Sequence, residues 1–110
     1  MADNRKYYYL KLKENFFDSD SIVLLEDMKD GILYSNILLK LYLKSLKNGG
    51  RLQLDEHIPY TAQMIATLTR HQIGTVERAL AIFQQLGLVE QLDCGLLYMT
   101  DIELMIGQSS

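Results

Sequence analysis

The sequence predicts a mainly α-helical domain with a small β-hairpin, and three observations between Tyr60 and Met99 predict it. Two short helical patterns, one around Ile65-Ala66-Thr67-Leu68-Thr69 and one running on from Ile73, are separated by only a few residues. In the second, Ile73, Val76, Leu80, Phe83 and Gly87 recur at steps of 3, 4, 3 and 4, which lines one face of a helix. Beyond it, two short apolar arms, Leu88 to Leu92 and Leu96 to Met99, flank the turn residues Asp93-Cys94-Gly95. Helix, tight turn, helix and hairpin in that order is the layout of a winged helix-turn-helix, whose second helix enters a DNA major groove.

The remaining elements follow from local chemistry. Tyr7 to Lys13 alternates, with Tyr8, Leu10 and Leu12 on one face and Tyr9, Lys11 and Lys13 on the other, as in a half-buried strand. Asp18, Ser19 and Asp20 offer caps for a helix that runs through about Met28 and ends near Gly31. A longer helix is expected from about Leu33 to Lys47, stopped by Asn48-Gly49-Gly50. Arg51 to Leu54 is a short strand that can pair with the later hairpin. Pro59 and Thr61 mark the start of the first helix of the motif, where a threonine hydroxyl caps the free amides of a first turn. Thr69 and Gln72 have capping-box spacing, which starts the second helix near Arg70, and Gly87 ends it in the left-handed conformation that glycine adopts freely. Thr100 and Glu103 repeat that spacing and predict a last helical turn over Ile102 to Ile106. Gly107-Gln108-Ser109-Ser110 reads as a cut end or the start of a linker, so the 110 residues are expected to be one winged-helix domain, the N-terminal part of a longer protein.

Composition excludes several classes. Hydrophobic content of 48% and charged content of 23% are ordinary for a globular domain of this length, which buries roughly two-thirds of its unfolded surface. Apolar runs such as Ile22 to Leu25 are far too short to span a membrane. Asp3, Asn4, Arg5 and Lys6 ahead of Tyr7-Tyr8-Tyr9 lack the apolar core of a signal peptide. The single cysteine, Cys94, rules out an internal disulfide and fits a reducing cytoplasm. The two histidines, His57 and His71, stand at no ligand-like spacing from it, so no metal is expected. Gly49-Gly50 lacks the lysine and hydroxyl residue of a phosphate-binding loop, and no nucleophile–base set is recognisable, so neither a cofactor nor catalysis is expected.

The function must therefore reside in surfaces. On the second helix of the motif, His71, Thr75 and Arg78 are expected opposite the apolar face, with Arg70 beside them at the first turn and Gly74 permitting close approach. Arginine bonds guanine bidentately, and threonine and histidine reach base edges or phosphates; the same residues also compose an ordinary solvated face. Ala81 and Ile82, apolar where solvent is expected, point instead to a protein contact. Lys40, Lys44 and Lys47 fall on one stripe of the long helix with Arg51 close behind, either as a solvated face or as a track for backbone phosphates. Tyr7-Tyr8-Tyr9 with Phe16 and Phe17 is either core packing with one or two interface tyrosines or a stacking platform for single strands. A strand carrying Tyr9 also offers an edge to another chain. Charge opposes the DNA reading: residues 1–51 hold nine Lys/Arg against seven Asp/Glu (+2), and residues 52–110 hold two against seven (−5). The half with the helix-turn-helix is the acidic half, whereas phosphate attraction supplies most non-specific DNA affinity.

Lys6-Tyr7-Tyr8-Tyr9-Leu10-Lys11-Leu12-Lys13-Glu14-Asn15-Phe16-Phe17-Asp18, Leu43-Lys44-Ser45-Leu46-Lys47-Asn48-Gly49-Gly50, Leu86-Gly87-Leu88-Val89 and Met105-Ile106-Gly107 together resemble the N-terminal domain of phage replisome organisers, over nearly the whole chain. The opening block is fairly specific to that family, whereas the helix-turn-helix core is shared widely. The resemblance implies a protein that binds double-stranded origin DNA in the bacterial host cytoplasm, helps start phage replication, and recruits host machinery such as a helicase or helicase loader. Such proteins are similar in layout to the primosomal protein DnaD, whose winged-helix domain self-associates. An oligomerisation module, using the N-terminal strand and the apolar end of the second helix of the motif, is thus the alternative expectation.

Overall fold

Helix α2 (Gly31–Ser45) is the spine of the domain, because it is apolar on most of its circumference: Tyr34, Ile37, Leu38, Leu41 and Tyr42 are all buried. The structure, a computed structural model, describes residues 7–109. Asp3 to Lys6 and Ser110 lie outside the described residues. Three further α-helices pack on α2: α1 (Asp20–Asp27), α3 (Ala62–Thr69) and α4 (Ile73–Gln85). The strands form antiparallel pairs only. They are β1 (Tyr7–Leu10) with β6 (Ile106–Ser109), β2 (Gln53–Asp55) with β3 (Ile58–Pro59), and β4 (Val89–Gln91) with β5 (Leu97–Met99). Ile22, Leu25, Leu52, Ile65, Val76, Phe83, Met99 and Ile102 close one core around α2. The domain is mainly α with a small β-hairpin, as expected.

Where local chemistry is unambiguous, the elements fall as read from sequence. Thr61 caps α3, its hydroxyl accepting from the Met64 N–H at 3.1 Å. Gly87, at φ 76°, ends α4 while the Leu88 N–H reaches back to the Phe83 carbonyl at 2.8 Å, the six-to-one bond of a glycine-terminated helix. Asp93-Cys94-Gly95 turns the β4–β5 hairpin, with the Gly95 N–H bonded to the Leu92 carbonyl. Arg51 forms a bridge with Tyr98, and the Leu52 N–H donates to Leu97, so this segment does meet the hairpin.

Several expectations are corrected. Gly31 does not end α1; Met28 does, and Gly31 is the first residue of α2, which ends at Ser45 and passes into a 3-10 turn over Leu46–Asn48. Gln53 to Asp55 leaves the hairpin and turns back onto Ile58–Pro59, so Pro59 sits in a strand and not in a helix start. Helix α4 begins at Ile73, not near Arg70: Gln72 holds its N-cap position, while the Thr69 hydroxyl is buried at the end of α3 and donates to the Ile65 carbonyl at 2.7 Å. The second capping box also fails. Asp101 precedes a 3-10 turn over Ile102–Leu104, Thr100 Oγ1 is buried with no partner among the described residues, and Glu103 accepts from the Tyr98 hydroxyl at 2.9 Å.

The N-terminal strand ends at Leu10, with one further bond from the Lys11 N–H to the Met105 carbonyl, and Leu12 is exposed. Tyr8 and Leu10 pack on the core, as does Phe16, which meets Phe17 and Tyr42 edge to face. Gly107 to Ser109 is no linker: it is β6, paired residue by residue with Tyr7 to Tyr9. The Tyr9 ring lies over Gly107, where a Cβ would collide with it, so this strand is engaged within its own chain.

Candidate nucleic-acid interface

The turn Arg70-His71-Gln72 brings α3 and α4 against the exposed edge of α2. Arg70 ends α3 in the left-handed conformation, φ 61°, and the N–H groups of Arg70 and His71 both donate to the Ala66 carbonyl. A residue other than glycine is uncommon in that region of backbone space, but a left-handed residue is a common way to end a helix. Lys40 reaches across from α2, and its ammonium donates to the Thr69 carbonyl at 2.8 Å. A cation on the last carbonyls of a helix satisfies an orphan acceptor and meets the negative end of the helix dipole. Lys40, Leu43, Lys44, Leu68 and Arg70 together line a cleft of about 300 Å³.

His71 closes the side of this surface, half-buried, with Nε2 2.8 Å from Asn36 Oδ1. Burial, and then the charge of Lys40, hold its pKa below the ordinary histidine value. The unfolded chain therefore takes up this proton first as pH falls. The contribution of neutral His71 to stability is present above the ordinary histidine pKa and is lost as pH drops through the lower folded value. His71→Gln is expected to flatten the acid side of the stability profile, read from thermal melts across roughly pH 5 to 8. Unchanged curvature in the variant would exclude His71 as the cause.

The other residues singled out from sequence scatter. Thr75 is a correction: it is buried, 7% exposed, on the packed face of α4, while Ile73 takes an exposed place at the start. Its hydroxyl lies 3.5 Å from an Arg78 nitrogen and has no route to a base edge. Arg78 is 58% exposed, but leans toward the α1–α2 corner, with Nε 3.4 Å from the Tyr34 hydroxyl and Nη2 3.9 Å from Asp30 Oδ2. These are long, solvated contacts that constrain the guanidinium weakly. Lys44 and Lys47 are exposed; Lys47 lies in the 3-10 turn past α2, and Arg51 sits on the bridge to Tyr98, so the stripe does not continue as one cluster. Ala81 is exposed, whereas Ile82 packs on the core.

Asn36, Tyr34 and Asp30 are the residues that sequence patterning misses. Asn36-Lys40-Lys44 at steps of four was the available signal for the first, since such spacing stacks side chains along one helix edge. Exposed positions of α4 and the hairpin carry Glu77, Gln84, Gln85, Glu90 and Asp93. Positive charge is thus concentrated at the α2 edge and the turn, not along α4 or the hairpin. Among the described residues, no helix is long and apolar enough to cross a membrane.

The sequence model of the N-terminal phage replisome organiser family matches residues 9–110. No curated relative and no solved structure matches the chain.

Proposed function

Because the chain belongs to the N-terminal phage replisome organiser family, we propose that it binds the double-stranded DNA of a phage replication origin, as a winged helix-turn-helix working without catalysis in the host cytoplasm. The observation that carries this reading is the positive surface where Lys40 and Lys44 of α2 meet Arg70 of the α3–α4 turn. In a chain of net charge −3, such a concentration is where a polyanion is attracted. Lys40, Lys44 and Arg70 hold backbone phosphates, with Lys47 and Arg51 at the margin. Arg78, released from its weak bonds to Asp30 and Tyr34, reads a base edge. Helicase or helicase-loader recruitment belongs to the same reading, as the next step once the origin is occupied.

Fluorescence anisotropy with origin duplexes across a salt series tests this. Each phosphate contact contributes a slope of about −0.9 in log affinity against log salt, so about four contacts weaken binding roughly a hundredfold between about 50 and 200 mM. Arg78→Ala is expected to reduce the preference for origin over unrelated duplex by about tenfold or more, with a smaller effect on non-specific binding. No binding at the lowest salt would sink the DNA reading.

Exposed apolar side chains favour a second reading, self-association. Val23 and Leu24 on α1 and Ile32 on α2 are 50%, 56% and 68% exposed. These side chains add to the surface expected from sequence: β1, paired with β6 on one side, stands at the edge of a two-stranded sheet, whereas Ile82 packs on the core. Sedimentation equilibrium without DNA separates the two: concentration-dependent mass with no duplex binding supports association alone.

A further inference from the structure

Resting on the DNA reading above, we propose that the cleft formed by Lys40, Leu43, Lys44, Leu68 and Arg70 is a discrete seat for one phosphodiester phosphate, and not part of a diffuse positive field. The seat lies on α2 and the α3–α4 turn, so it anchors the strand beside α4 and sets where that helix meets the duplex.

Four features distinguish it from a solvated lysine face. Among the described residues no carboxylate lines the cleft, whereas the larger cavity beside Lys11 and Lys13 also carries Asp18 and Asp101, which offset its cations. One of the three cations is ordered before any anion arrives. Lys40 is fixed by its 2.8 Å bond to Thr69 O and keeps two of its three ammonium protons free, while Arg70 starts from a backbone pinned at φ 61°. Such pre-ordering removes part of the entropic cost that long cationic side chains otherwise incur on binding. Lys40 and Lys44 are also like charges one helical turn apart, whose repulsion an anion between them relieves. Leu43 and Leu68 wall the cleft with apolar surface, which thins the water around the charges and strengthens their field on a bound anion.

The geometry also couples the seat to His71, which follows Arg70 directly and feels the charge of Lys40. An anion in the cleft offsets that charge and favours the imidazolium, so filling the seat raises the pKa of His71. This gives a readout that a structural role for the same cations would not move.

The test uses the wild-type domain, Lys44→Gln, Arg70→Gly and, as an exposed cation in the other cavity, Lys13→Gln. Glycine suits the left-handed backbone at 70, so that variant keeps its turn and cannot lose binding by unfolding. Titration with inorganic phosphate, followed by NMR, is expected to shift the amides of Lys44, Thr69, Arg70 and His71 and to raise the His71 pKa. Both responses disappear in Lys44→Gln and Arg70→Gly and persist in Lys13→Gln. With duplex DNA, each cleft variant binds about tenfold more weakly, with a salt slope shallower by about one, and Lys13→Gln changes affinity by less than about twofold. Equal losses in all three variants, or duplex binding that Lys44→Gln and Arg70→Gly leave unchanged, would overturn the seat and leave the DNA reading standing. A wild-type domain that binds no duplex but gives the localised phosphate response would fail that reading and keep the anion seat. Absence of the phosphate response overturns the seat.

Discussion

Gly31→Ala is expected to destabilise the domain by about 3 kcal/mol, against what helix propensity predicts. Gly31 is the first residue of α2, and alanine at an ordinary helical position is favoured over glycine by about 1 kcal/mol. At this position a Cβ would stand 2.5 Å from both the Leu25 and the Glu26 carbonyl oxygens at the end of α1. Those atoms are backbone of a packed helix and cannot swing aside as a side chain could. The corner is further fixed by the Gly31 N–H, bonded to the Met28 carbonyl at 2.8 Å. Relief requires α1 to move off α2, which opens the contact that buries Ile22 and Leu25. At about 4 °C per kcal/mol for a domain of this size, the melting temperature falls by about 12 °C. A stabilised variant would mean that the two helices do not approach this closely.

The same corner bears on the interface. Asp30, the residue before Gly31, holds a left-handed conformation and points its carboxylate toward Arg78 of α4. Spreading α1 from α2 shifts that carboxylate and the Tyr34 hydroxyl together, so Gly31→Ala is expected to free Arg78 as well as to weaken the fold.

What the sequence disclosed follows the range of the interactions involved. Thr61, Gly87 and Gly95 act on residues within one turn of themselves, so the start of α3, the end of α4 and the hairpin turn were legible. Thr69 and Thr100 carry the same local signal and mislead, because each hydroxyl is buried by distant packing and thereby removed from its cap. The pairing of Tyr7–Leu10 with Ile106–Ser109 joins the two ends of the described chain, and no local pattern encodes it. At the interface, the lysine spacing on α2 and the cations of the turn were visible, but their convergence was not. It depends on Lys40 crossing to Thr69, and on a rotation of α4 that buries Thr75 and exposes Ile73, which helical periodicity alone leaves open at a helix end.

Gly50→Ala is expected to cost about 4 kcal/mol, and the loss divides into two parts that a second substitution separates. Gly50 adopts φ 97°, where an L-residue is strained by about 1–2 kcal/mol. A Cβ there would also collide with Ile102 Cγ2 and stand 2.8 Å from Tyr98 Cε1. The Tyr98 ring is half-buried and can turn, but Ile102 is fully buried and has no vacant space to enter. Ile102→Leu removes the Cγ2 branch and by itself costs less than about 1.5 kcal/mol. If sterics matter as the packing indicates, the double variant is more stable than the sum of the single losses predicts by about 1–2 kcal/mol. The residual loss is then the backbone term. Simple additivity would show that the left-handed backbone alone accounts for the effect. The position matters because Gly50 donates to Ser45 O at the end of α2 and accepts from the Met99 N–H of the hairpin. Losing that joint releases β5 from the helix that carries Lys40 and Lys44. Hydrogen exchange at the Met99 amide should therefore accelerate in Gly50→Ala beyond the change set by global stability.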